Sequence, residues 1–202
     1  MSRRRPGFIP RQGLPSLFAV LPLMLFWPAL RHTVEARMLL HMLLEFPLLL
    51  ASGWALRHLC LRHGRAPWLT RGLALLDWRG WTGATLVSLL AAIWMVPAAL
   101  DLALLSTPVA AAKFAGWWFG GWVLAGSLQR MDPELLLFGA GNLAWMMASA
   151  GLLYIDAPAR LCVNYLQDDQ QQTGIALVLA ATVLGALALR QVLRSAPEPK
   201  AV

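Results

Sequence analysis

The stretch MLLHMLLEFPLLLASGWAL, residues 38–56, is apolar for long enough to cross a bilayer and carries His41 and Glu45 one helical turn apart. A spanning helix needs about 20 predominantly apolar residues. Ionisable side chains inside lipid are costly and mark a functional site by default. This one segment therefore predicts a membrane helix and points to where its chemistry lies.

Working outward, the same kind of block recurs. The chain has 202 residues, 58% of them hydrophobic and 13% charged, with a mean hydropathy of +0.59. Soluble domains run near 45–50% apolar and about 25% charged. The apolar residues fall into segments separated by charged or Pro/Gly-rich breaks, which predicts an all-α, polytopic transmembrane helix bundle. Six spans are expected, at 14–30, 38–56, 82–100, 108–127, 134–154 and 173–193. A basic N-terminus (1–13) precedes this transmembrane domain (14–193), and a short tail (194–202) follows it. The first block has the basic flank of a signal peptide. No small-x-small cleavage site follows it in FWPALRHTVEAR, so it reads as a membrane helix.

Loop charges set the orientation. Arg3, Arg4, Arg5, Arg11, Arg57, Arg62, Arg65, Arg71, Arg79, Arg130, Arg190, Arg194 and Lys200 fall on one side, against Arg31, Arg37 and Arg160 on the other. The positive-inside rule then places both termini in the cytoplasm of a bacterial-type inner membrane. The net charge of +7 does not indicate nucleic acid, because the arginines sit at block ends rather than on one soluble face. The basic, tryptophan-containing segment 57–81 reads as an interfacial anchor. Cys60 and Cys162 fall on opposite sides, so no disulfide between them is expected, and neither belongs to a CxxC pair.

With this topology each polar group has a depth. His41 and Glu45 lie about 5 and 10 Å below the outer end of their helix, and Arg37, His41 and Glu45 share a face. Asp101 borders the third span on the outer side, Lys113 lies in the outer part of the fourth, and Asp168 and Asp169 precede the sixth. These groups predict one outward-facing pocket: His41, Met42 and Glu45 as candidate metal ligands, with Arg37, Asp101, Lys113, Asp168 and Asp169 at its rim. Met24, Met38, Met42, Met95, Met146 and Met147 also fall in outer halves. Thioether and imidazole suit Cu(I), although methionine is also an ordinary apolar filler. Gly116 and Gly120 have the spacing of a close helix contact, and Asn142 reads as interhelical glue. Nucleophile-elbow, P-loop, dinucleotide and HExxH motifs are absent, so no enzyme is expected.

Four segments in order carry a family likeness. HMLLEFP (41–47) has a His-Met start with Glu45 where a second histidine belongs. WMVPAALDLAL (94–104) has Trp94, Pro97, Asp101, Ala103 and Leu104. PVAAAKFAGWWFGGWVLAG (108–126) has Lys113 near the place of a histidine. LQDDQQQTGIAL (166–177) supplies Asp169, Gln170, Gln171 and Gly174. Together they resemble the CtaG family of membrane proteins linked to cytochrome c oxidase assembly, over about residues 38–185. The resemblance implies a polytopic inner-membrane protein that helps heme–copper oxidase mature by handling copper. Oxidase subunits or a copper chaperone are then the expected partners, besides the lipid bilayer. A small transporter, or a structural subunit of a respiratory or oxygenase complex, is the competing expectation.

Overall fold

The computed structural model describes Met24, residues 27–65 and residues 67–195, and no strand occurs among them. Eight helices follow in order. They are α1 (Pro28–Glu35), α2 (Met38–Arg62), α3 (Pro67–Leu76), α4 (Trp81–Trp94), α5 (Pro97–Leu105), α6 (Thr107–Ser127), α7 (Pro133–Asp156) and α8 (Gln167–Ser195).

Three of these, α2, α7 and α8, are long and apolar enough to cross a membrane, and α4 with α5 makes a fourth if that bent pair counts as one span. Six spans are thus not reached among the described residues. Most of the expected first span lies outside them, and Pro28–Leu30, its end, belong to the short α1. Helix α6 has 21 residues, but Lys113, Gly116, Gly120, Gly121, Trp117, Trp118 and Trp122 dilute its apolar character.

The third expected span, 82–100, is corrected: it is not continuous but bends by 78° between Trp94 and Pro97. The reason is local. Proline has no N–H and excludes the helical conformation from the residue before it, and Val96 is accordingly extended, at φ −78° and ψ 124°. The carbonyl of Met95 freed by the break accepts from the Tyr154 hydroxyl on α7 at 2.6 Å.

Close packing is written in glycine. Helices α2 and α6 approach so tightly that a Cβ on Gly53 would collide with the Trp118 carbonyl, and one on Gly121 with the Leu50 carbonyl. Gly116 and Gly120 instead face Leu90 of α4. Helices α7 and α8 cross at Gly151 and Gly174 in the same backbone-to-backbone way. In lipid, where burying apolar surface gives no net drive, such van der Waals approach is the main source of helix association. Asn142 on α7 adds a hydrogen bond to Ser88 on α4 at 3.1 Å.

Polar groups gather at the two ends of the bundle. At one end, Asp77 accepts from Arg130 (2.8 Å) and from the Thr82 amide (3.2 Å), and Arg79 pairs with Asp132. The other end holds α1, α5, the 157–166 loop and the candidate site.

A buried cation seat between three helices

Helix α2 opens with a π turn over His41–Glu45. Pro47 accounts for it: its ring has no N–H for the Leu43 carbonyl and crowds it, and widening the turn relieves both. Single π turns inside α-helices recur at functional sites. Here the turn aims His41 and Glu45 at α6, and both are completely buried.

Lys113 of α6 meets them there, also with no exposed surface. Its Nζ donates to Glu35 Oε1 at 2.7 Å and to His41 Nε2 at 2.8 Å, and lies 2.5 Å from Glu45 Oε1. Glu35 is the last residue of α1 and is 4% exposed. An ammonium has no lone pair, so His41 Nε2 must accept. The ring proton therefore sits on Nδ1 and donates to the Tyr165 hydroxyl oxygen, 2.6 Å away. Burial, and then the nearby Glu35 carboxylate, push the Tyr165 phenol far above its ordinary range, so it remains an uncharged partner.

Arg31 completes the charge balance. It bonds Glu35 Oε2 at 2.8 Å and reaches the Ala103 carbonyl of α5 at 3.4 Å. Two cations, Arg31 and Lys113, face two carboxylates, Glu35 and Glu45, around a neutral imidazole. Phe114 lies beside both cations, with the Lys113 Nζ 4.8 Å and the Arg31 Cζ 5.6 Å from its ring centre.

The balance in charge hides a shortfall in geometry. Glu45 Oε1 is held by the Lys113 ammonium, whereas its Oε2 has no hydrogen-bond partner. Its Oε2 lies 4.0 Å from His41 Nε2. Buried acceptors are nearly always satisfied, so an unmet carboxylate oxygen invites an explanation. Glu35, His41 and Glu45 each present one ligand atom within 4.8 Å of the others, a grouping that can hold a metal ion. The Lys113 ammonium is bonded or ion-paired to all three residues, in the seat such an ion would take.

The remaining expected residues fall into place around this seat or away from it. Met42 packs in the apolar core with Met38, Phe46 and Leu49. Asp169 accepts from the Met38 amide at 2.5 Å and pairs with Arg37 at 3.7 Å, while Arg37 also reaches Gln172 at 3.1 Å. Asp101 holds the loop over the site through the Val163 amide (2.9 Å), the Asn164 amide (3.3 Å) and the Asn164 side chain (2.8 Å). Asp168 is exposed at the start of α8. The residues missed from the sequence are Glu35, Arg31 and Tyr165. Arg31 and Glu35 are spaced i, i+4 just before the span, and that ion-pair spacing was the available signal.

Searches against family models, curated proteins and solved structures find no match.

The CtaG likeness therefore rests on the quoted segments alone.

Proposed function

We propose that this chain is a non-enzymatic integral membrane protein that takes up and hands on a metal ion, with Glu35, His41 and Glu45 as the seat and Lys113 as its resident cation between loads. The observation that carries this reading is the Lys113 Nζ lying 2.5–2.8 Å from one atom of each of the three groups. A delivery protein must release its cargo. A tethered ammonium that competes for the same oxygen and nitrogen atoms keeps the metal's residence short, because its effective concentration at the seat is high.

The donor set shapes the choice of cargo. One imidazole and two carboxylates suit a borderline divalent ion such as Cu(II) or Zn(II), whereas Cu(I) favours sulfur. Copper is the cargo that the CtaG likeness implies, with oxidase assembly as its setting, and Met42 in the same π turn is the soft donor nearest in sequence. Titrating the purified full-length protein with Cu(II) and Zn(II), followed by isothermal calorimetry, tests the reading. Binding of one equivalent, lost in Glu45→Gln and in His41→Ala with the helical content kept, is the expected result. Heat signals identical in the wild type and both variants would end it.

The broken α4–α5 helix favours a second reading, as a small transporter. Discontinuous helices in membranes place carbonyls and helix ends at ion sites, and the Ala103 carbonyl of α5 meets Arg31 beside the seat. Towards the other end of the bundle, however, the space between α2, α4, α6, α7 and α8 is an apolar cavity of about 260 Å³, lined by residues such as Leu50, Val87, Leu124, Met131 and Leu143. An ion path through it would have few groups to follow. Ion flux in liposomes, abolished by Glu45→Gln, would establish transport over delivery.

A further inference from the structure

A second charged group is buried at the opposite end of the bundle. Arg57, in the last part of α2, is 5% exposed. Its guanidinium lies against Gly126 of α6, where an added Cβ would fall 2.5–3.0 Å from its terminal atoms. Gly126 thus makes the room that Arg57 occupies.

Among the described residues Arg57 forms no ion pair and no hydrogen bond, and its Nε is buried without an acceptor. The carboxylate in its neighbourhood, Asp77, is already taken by Arg130 and the Thr82 amide. A buried guanidinium Nε without an acceptor is costly, and such groups in native proteins are met by a ligand, an ion or water.

The surroundings say which ligand chemistry fits. This end of the bundle carries Arg62, Arg65, Arg71, Arg79 and Arg130. Beside it runs α3, whose Trp68, Leu75 and Leu76 are exposed, as is Trp78 just beyond it. Exposed tryptophans and leucines among arginines are the composition of the headgroup layer of a bilayer. The guanidinium fork matches phosphate oxygens in pairs. We infer that Arg57 forms a phosphate-binding site that takes the headgroup of an anionic phospholipid.

The test uses the full-length protein in a neutral detergent and follows its thermal unfolding with added lipid. Phosphatidylglycerol should raise the midpoint by about 5 °C at saturation, and phosphatidylcholine by clearly less. Arg57→Gln should lose the phosphatidylglycerol increment, while Arg65→Gln, an exposed arginine at the same end, should keep it. Should Arg57→Gln fail to fold, Gly126→Ala decides, because its methyl displaces only the end of the Arg57 side chain. The same increment with inorganic phosphate, against chloride of equal ionic strength, would support the site but assign it to a soluble phosphate. Equal responses to both lipids, or an increment unchanged in Arg57→Gln or Gly126→Ala, would overturn the inference.

Discussion

Lys113 is surrounded at hydrogen-bonding distance by two carboxylates and an imidazole, all buried. Removing one partner of a buried ion pair ordinarily costs about 3–5 kcal/mol, because the other charge is stranded. A metal seat and a structural clamp therefore respond differently to Lys113→Met. For a seat, the variant should bind Zn(II) or Cu(II) at least about tenfold more tightly than the wild type, with its thermal stability restored by the metal. For a clamp, it should be destabilised and stay so with metal present. Calorimetry and a melting curve on one preparation separate the two. Tyr165→Phe removes the acceptor of the His41 Nδ1 proton and should cost about 1–3 kcal/mol, the price of an unsatisfied buried donor, read from chemical denaturation. Cys162 gives an independent probe of the same loop. It is fully buried, and burial together with Asp101 pushes its thiol up to about 12. At pH 8 it should resist alkylation, and Asp101→Ala, which frees the Val163 and Asn164 amides and removes the neighbouring charge, should speed the reaction many-fold.

At the level of elements, the helices with most bearing on the site are α2 and α6, and their approach depends on positions where a side chain has nowhere to go. Gly53→Leu would drive side-chain atoms into the Trp118 carbonyl. Overpacking of this kind costs about 1–3 kcal/mol or more, and size-exclusion chromatography should show loss of a single monodisperse species. Much of this layer was legible in the sequence. His41 and Glu45 could be assigned to one helix face, and Lys113 to a matching depth on another helix, because hydropathy and loop charge fix depth before any contact is known. Glu35 was not legible in the same way. It lies before the apolar run, in what reads as a solvated loop, and only the folding of α1 back against α2 and α6 buries it. The π turn was equally hidden, although Pro47 was its visible cause. The bend at Pro97 follows from a proline that is also read as an ordinary member of an apolar block, so periodicity alone runs the span through it.

For the molecule as a whole, the two polar ends make a topological claim that can be checked. Arg62, at the end of α2, and Val163, in the loop over the seat, are both exposed. Cysteines placed there, in a Cys60→Ser, Cys162→Ser background, should label with a membrane-impermeant maleimide from opposite faces of the membrane. Labelling of both from one face would refute the orientation read from loop charge. The charge balance of the seat has a consequence of its own. With Lys113 in place, Arg31, Glu35, Glu45 and the ammonium sum to zero; with Lys113 withdrawn, the remaining three leave a single negative charge. Sodium or potassium entering the vacated seat would only restore the neutrality that the lysine already supplies, and would surrender its water shell to do so. On the proposed metal-handling reading, a divalent ion would bring an extra charge for the two carboxylates. A lysine fixed to the wall of the site would, on that reading, act as a valence filter, and it would need no size-selective pore to ignore the most abundant cations around it.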